Sequence, residues 1–376
     1  MVKKSKKKCI LIFSAYMPPH VGGVERYTFN LVKKFVSHGY QVIVVTSNYN
    51  NDKDIEVRDG ITIIRLDVYN IFKNRYPVIR FNKRVRENLS ILNEYNIKAC
   101  IVNTRFYITS IIGVRYSNKN DIPVYLIEHG SNYVTLNNRF IDFFANRYED
   151  IITYWMKNKV NGFYGVSDAS GKWLGHFGIE YSGTWYNAIE MERNIPKKVK
   201  DKEINFLYTG RVIKQKGVYN ILKCFSNLSL KYDNIYLYIV GDGSDLEEYK
   251  NNFNQDRIYF LGRVGYEYIL KYYDMCDVFL FPTLYPEGLP TSILEAGMMR
   301  CSVIVTDRGG IKEIITNNEN GFIVSDDIND LEMSMEKLIL DKDLRLKLSN
   351  NLYDTVKKKF TFDVTAKKIL EDINLE

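Results

Sequence analysis

Short runs rich in Ile, Val, Leu and aromatic residues alternate with longer helical patterns along this chain, and no other feature constrains its fold as strongly. Strand–helix–strand units of this kind place successive strands in parallel, with helices on the sheet faces. The cadence occurs twice. In the first half the strand candidates span 9–14, 41–47, 61–66, 99–103, 124–128 and 162–166; in the second they span 205–209, 236–240, 258–261, 278–281 and 302–306. Each run is too apolar for a sheet with one wet face, so both faces are expected to be covered. Between the halves lies IPKKVKDKE at 195–203, polar and charged with a proline near its head, and the hinge is placed at 189–203. Residues 329–376 carry no strand signal and read as two or three amphipathic helices, broken near Phe360 and Phe362.

Composition supports two packed domains. At 376 residues the chain exceeds the size at which a single core stops growing. With 45% hydrophobic residues and only 8 Pro, extended disorder and collagen-like structure are excluded. The five cysteines are widely spaced, lack a C-x-x-C pair and leave an odd one over, which fits a reducing compartment and neither a zinc nor a disulfide framework. No apolar stretch approaches the roughly 20 residues that span a bilayer. The basic start MVKKSKKK is followed by only a short apolar run, which reads as the first strand and not as a secretion signal.

The chemistry concentrates at loops that follow strands. FPTLYPEGLPTSILEAG at 281–297 is a strand end, a Pro/Gly loop and a helix start, with carboxylates at Glu287 and Glu295. Ligands bind open α/β sheets at such carboxyl ends, and the amides of Gly288 and Leu289 would face an anion at the positive end of the helix. This segment resembles the paired-glutamate signature of the family 4 retaining glycosyltransferases, and the likeness extends over most of the chain. It implies the GT-B fold, an α/β architecture of two Rossmann-like, doubly wound parallel-sheet domains facing across a cleft, with C-terminal helices crossing back to the first domain. The resemblance implies that Glu287 lies by the donor sugar and reaction centre and that Glu295 bonds the ribose of the nucleotide. In LYTGRVIKQKG at 207–217 it assigns Arg211 and Lys216 to the donor diphosphate. Two cations at a strand end suit that role, making charge-assisted hydrogen bonds and stabilising a leaving group as charge develops on it. Lys214 is a weaker contact.

Three further segments fit the resemblance. SAYMPPHVGGVERY at 14–27 resembles the family's amino-terminal glycine loop, where Gly22 and Gly23 would let the backbone approach a phosphate at a helix start. It is not a dinucleotide fingerprint, because G-x-G-x-x-G is absent here and is incomplete after Gly241 and Gly243, where Leu246 takes the third place. YLIEHG at 125–130 ends a strand with Glu128 and His129, and related transferases have a His or Asp near this position at the donor sugar, so His129 is a catalytic candidate and Glu128 a lesser one. TDRGGIKE at 306–313 and Gly321 resemble the carboxyl-domain pattern and are read as backbone turns without chemistry. Where the family often shows Pro-Asn-Gly-Val-Asp, this chain reads WYNAIE at 185–190, and only Asn187 keeps its type.

Charge adds a separate expectation. The net +7 includes six cations at Lys73, Arg75, Arg80, Lys83, Arg84 and Arg86, interleaved with aromatics and free of acids. Arg80 and Arg84 would share a helical face beginning after Pro77, forming a basic block at 73–86 for an anionic membrane surface; the other readings are a solvated basic helix and, without any recognition module, nucleic acid. Two D-x-D patterns, Asp52 with Asp54 and Asp341 with Asp343, lie in polar stretches away from strand ends, so neither reads as a metal site.

The resemblance therefore implies an acceptor-side domain at 1–188, a donor-binding domain at 189–355 and a returning helix at 356–376. It implies a metal-independent, anomer-retaining enzyme without a cofactor. Such an enzyme would move a hexose-type sugar from a nucleotide diphosphate sugar, UDP favoured over GDP, to a glycan or lipid-linked acceptor in cell-surface polysaccharide or glycolipid synthesis. Domain closure would bring Gly22, Gly23 and His129 onto the donor. The expected location is the cytoplasm, with peripheral contact at the inner face of the membrane. The alternatives are an epimerase or phosphorylase of the same fold, or a non-catalytic membrane-associated subunit of a glycan assembly complex.

Overall fold

The computed structural model describes residues 7–20, 22–71, 76–135, 138–191 and 203–375. The chain divides into two compact units, Met1–Asn187 with Phe362–Glu376, and Ala188–Thr361.

The first unit contains strands β1 (Lys8–Phe13), β2 (Gln41–Asn48), β3 (Ile55–Arg58), β4 (Ile61–Ile71), β5 (Tyr76–Ile79), β6 (Asn96–Asn103), β7 (Val124–Glu128), β8 (Gly162–Gly165) and β9 (Gly183–Thr184). Its helices in chain order are α1 (Gly23–Ser37), α2 (Lys83–Ser90), α3 (Ile108–Lys119), α4 (Arg139–Met156) and α5 (Asp168–Trp173). The sheet order is β3-β4-β2-β1-β6-β7-β8-β9, with β5 paired to β4. All pairings are parallel except those of β3 and β5 with β4. Cys9–Phe13 is buried throughout, as a strand covered on both faces must be. The order reverses between β1 and β6, so their carboxyl-end loops diverge and leave a crevice there.

The second unit contains β10 (Ile204–Thr209), β11 (Ile235–Val240), β12 (Ile258–Gly262), β13 (Val278–Phe281), β14 (Ser302–Thr306) and β15 (Phe322–Val324). Its helices are α6 (Val218–Ser229), α7 (Leu246–Asn252), α8 (Tyr266–Met275), α9 (Thr291–Met298), α10 (Ile311–Ile314), α11 (Ile328–Leu340) and α12 (Lys342–Lys359). The fully parallel order β12-β11-β10-β13-β14-β15 reverses between β10 and β13. A doubly wound sheet of this order has its ligand crevice at that reversal.

The basic block differs from expectation. No helix begins after Pro77; Tyr76–Ile79 is instead an antiparallel edge strand, with Ile79 opposite Val68 and 2% exposed. Burial of alternate residues, Pro77 and Ile79, outweighs the helical spacing, and an edge strand tolerates Pro. The helix starts only at Lys83, where the Asn82 side chain accepts from the Val85 amide at 2.9 Å. Arg80 therefore shares no helical face with Arg84. Its guanidinium lies 4.2 Å over the Tyr69 ring, while Arg84 pairs with Asp54 and, at 3.5 Å, with Asp67. Lys73 and Arg75 lie outside the described residues, as does most of the expected hinge.

The expected boundary at 355/356 falls inside α12, which runs without a break to Lys359; the second unit extends to Thr361. The last helix, α13 (Phe362–Asp372), returns to the first unit. It packs on α1, with Tyr27 and Phe362 ring centroids 5.9 Å apart and Lys34 3.0 Å from Asp363. The fully buried Trp185 stacks on Tyr164 and donates its indole N–H to Asp372 at 2.8 Å. No described helix is long and apolar enough to cross a membrane.

Phe362 is 2% exposed at this seam. We expect Phe362→Ala to destabilise the first unit by about 3–5 kcal/mol. Scanning calorimetry would show the transition of that unit falling by several degrees while that of the second unit stays in place.

Candidate active site

The loops after β10 and β13 build one polar centre. Beyond β10 the chain crosses Gly210 and Arg211 and forms a short 3₁₀ turn at Lys214–Lys216. Gly217 follows with φ +72°, and any side chain there would collide with the Pro282 carbonyl, so the two loops lie in direct contact. The Leu284 amide donates to the Gln215 carbonyl at 2.9 Å across the same junction. Lys216, 9% exposed, is thereby set against Glu287: the ammonium donates to Glu287 Oε1, which also accepts from Thr283 Oγ1 at 3.2 Å. The sequence reading gave these residues to different parts of a donor; in the structure they hold one another.

Gly309 and Gly310 position that carboxylate. Gly309 has φ +59° and leaves no room for a side chain beside the Glu287 carbonyl, which accepts from the Gly310 amide at 3.1 Å. The TDRGG loop after β14, read in sequence as a turn, thus braces the loop after β13.

Glu295 stands one turn into α9 and is 6% exposed. A hydrogen-bonded chain fixes it: the Tyr273 hydroxyl donates to Glu295 and lies 2.7 Å from Thr209 Oγ1 at the end of β10. Burial and then the Glu295 charge push the Tyr273 hydroxyl well above its ordinary range, so it remains a donor. Arg211 is exposed, and its carbonyl accepts from Tyr208 Oη at 2.8 Å; no acid among the described residues pairs with its guanidinium. Leu289 is 4% exposed, so its side chain belongs to the core. Gly288 is half-buried beside it, and no side chain caps α9.

The first unit presents a different surface. His129, at the end of β7, has Nε2 2.8 Å from Asn103 Oδ1, so Nε2 carries the proton and Nδ1 is left to accept. Burial pushes the imidazole down to about 3, so the ring is neutral at physiological pH and acts as a hydrogen-bonding group. The neighbouring Glu128 has no access to a ligand. It is 1% exposed and paired at 2.5 Å with Arg105, which also holds Glu149. Burial pushes the Glu149 carboxyl up to about 7 even with Arg105 alongside.

At the glycine loop, Gly22 forms the N-cap of α1 without a side-chain cap bond. The Glu25 carboxylate folds back so close to Gly22 that a methyl group there would collide with it, and Glu25 Oε1 lies 3.1 Å from His20 Nδ1. The expected phosphate position in front of Gly22 and Gly23 is thus taken by the chain's own carboxylate. Sequence reasoning missed Glu25 and gave His20 no role; an acid in the first turn behind two glycines was the available signal. His20 stacks on Tyr16 at 4.2 Å. Both rings line a cavity of about 630 Å³ that runs past Tyr107 and Tyr148 to Ile141 and Phe144 of α4.

A histidine held neutral in the folded state makes folding oppose its protonation. The unfolded chain binds that proton below about pH 6.5, so His129 removes stability as pH falls below this value. Thermal melts at pH 7 and pH 5 should show a smaller acid-induced drop in His129→Gln than in the wild type; equal drops would mean that His129 is protonated in the fold.

Comparison with known proteins agrees with this fold. The model for "Glycosyltransferase Family 4" matches residues 21–193, and that for "Glycosyl transferases group 1" matches residues 190–355. The chain is 27% identical to an uncharacterized glycosyltransferase, MJ1069, of Methanocaldococcus jannaschii, over 96% of this chain and 97% of that one. It is 28% identical to the capsular polysaccharide biosynthesis glycosyltransferase CapM of Staphylococcus aureus, over 50% of each chain. The crystal structure of Anabaena HepE in complex with UDP superimposes with a TM-score of 0.73 at 15% identity, covering 98% of this chain and 99% of that one, which establishes a shared fold. With two parallel-sheet units and the Lys216–Glu287 centre at the strand-order reversal of the second, the chain belongs to the family 4, group 1 glycosyltransferases of GT-B fold.

Proposed function

We propose that the enzyme transfers a hexose-type sugar from a nucleotide diphosphate sugar, UDP favoured, to a hydroxyl of a glycan or lipid-linked acceptor with retention of anomeric configuration. The observation that carries this reading is the joining of Lys216 to Glu287 at the β10/β13 reversal, with Arg211 on the loop after β10 and Glu295 one turn into α9. Glu295, held by Tyr273, accepts from the ribose hydroxyls. Arg211 and Lys216 take the diphosphate and stabilise the charge that builds on it as the sugar leaves. Binding transfers the Lys216 ammonium from Glu287 to the phosphate, and the freed carboxylate turns to the donor sugar. The acceptor hydroxyl loses its proton to a phosphate oxygen, so no enzyme nucleophile is used. The amides at Gly288 and Leu289 face the diphosphate. In the first unit Gly22 and Gly23 are candidate phosphate contacts once Glu25 swings aside, and His129 is a candidate sugar contact.

The reading is metal-independent. Arg211 and Lys216 supply the positive charge, and one carboxylate of each D-x-D pattern has a structural use: Asp54 pairs with Arg84, and Asp341 caps α12 through the Leu344 amide at 2.8 Å. CapM, named for capsular polysaccharide synthesis, supports a polysaccharide product, and the UDP complex of HepE supports UDP. All five cysteines are free and buried, which fits a reducing, cytoplasmic setting.

The test is a thermal-shift panel of UDP-, GDP- and ADP-sugars, because a ligand bound to the fold raises its melting point by mass action. UDP-sugars should give the largest rise. Glu287→Gln should lose about 100-fold or more in transfer rate while keeping nucleotide binding. Unchanged turnover would remove Glu287 from the reaction.

A further inference from the structure

We propose that α4 docks the first unit on an anionic lipid bilayer through an exposed aromatic stripe. At roughly 100° per residue, Phe140, Phe143, Phe144, Arg147, Ile151 and Tyr154 fall within a sector of about 100° on this helix. Five of them are apolar and stand in solvent, at 72% exposure for Phe140, 57% for Phe143, 56% for Phe144, 66% for Ile151 and 79% for Tyr154. The opposite face packs inward through Glu149, Thr153 and Met156. The outer face is left uncovered among the described residues. The stripe is continuous: Phe144 meets Phe140 at 5.0 Å and Phe143 at 5.5 Å, both edge-on. Isolated exposed apolar residues are ordinary, but three adjoining phenylalanines extended by Ile and Tyr over about 21 Å mark an interaction surface.

Charge selects the partner. Arg139 is exposed at the start of the helix, Arg147 lies 5.7 Å over the Phe143 ring, and Lys159 and Arg115 lie 5.0 and 5.3 Å over Trp155 at the far end. Cations above rings that flank an apolar stripe suit an interface where rings enter the acyl boundary and charges meet lipid phosphates. The acids nearby are engaged: Asp150 accepts from Tyr133 and pairs with Arg147 at 3.2 Å, and Asp142 accepts from Thr135 at 2.8 Å. A second copy of this chain fits less well, because a two-fold pairing about the middle of the stripe would bury Arg147 against its own counterpart.

The cavity strengthens the assignment. Phe144 belongs both to the stripe and to the wall of the cavity of about 630 Å³, whose far end carries Tyr16, His20 and Glu25. This continuity suits a molecule with an apolar stem in the membrane and a polar end at the strand edge. That part rests on the acceptor reading given above, whereas docking on the bilayer does not. The surface is distinct from the basic block at 73–86.

The experiment is flotation of the full chain with phosphatidylcholine vesicles, with and without phosphatidylglycerol. The wild type should float with the anionic vesicles, and Phe140→Ser/Phe143→Ser should lose about tenfold or more of that partition. Circular dichroism and donor binding by calorimetry should be unchanged in the variant, which shows that it folds. A wild type that stays at the bottom with anionic vesicles, or a variant that floats as well as the wild type, would overturn the proposal. So would sedimentation showing a wild-type dimer that the variant dissolves, since the stripe would then bind a second copy. Donor binding is read on the same proteins, so its absence would count against the proposed function and leave the docking result standing.

Discussion

The contact between Lys216 and Glu287 is the constraint around which the second unit is arranged. An ammonium at 10% side-chain exposure loses most of its hydration, and a partner has to replace the lost water contacts. Glu287 does so from the adjacent loop. Bringing the loops close enough requires Gly217 against the Pro282 carbonyl and Gly309 against the Glu287 carbonyl, two approaches that no side chain would permit. The strand order makes the approach possible, because β10 and β13 are neighbours whose helices leave to opposite sides.

The first unit solves a different problem. Its glycine loop presents a helix start, which attracts anions, yet Glu25 and His20 occupy that position with the chain's own charge. The surrounding rings of Tyr16 and Tyr107 make the adjoining cavity largely apolar, with Glu25 and Glu149 among the residues that line it. Aromatic faces beside carboxylates suit a molecule that carries hydroxyls on one part and carbon on another. His129, neutral and tied to Asn103, offers such a ligand a fixed acceptor and no proton of its own.

Much of this was legible before any coordinates. The continuous apolar runs marked the central strands to within a residue or a few, because a strand buried on both faces must be apolar throughout. The strands that escaped, β3, β5, β9 and β15, are short and lie at or near sheet edges, where pairing and one buried side suffice. The 73–86 block was misread because its cation spacing fits a helix equally well, and only the burial of Ile79 decides between the two. Lys216, Glu287 and Glu295 were readable from their loops, but the direct bond between the first two was not, since it depends on how far two turns approach. The stripe on α4 was invisible for a simple reason. Apolar residues lie on both sides of that helix, and sequence alone does not tell which side the fold covers.

The central claim is that the β10/β13 reversal holds the donor through Lys216, Arg211 and Glu295. The most direct measurement is a crystal structure of the full chain soaked with UDP. The account predicts diphosphate density against Lys216 and Arg211, ribose density against Glu295, and a Lys216 ammonium withdrawn from Glu287. Nucleotide density anywhere else, or a Lys216–Glu287 pair unchanged beside bound UDP, would contradict it.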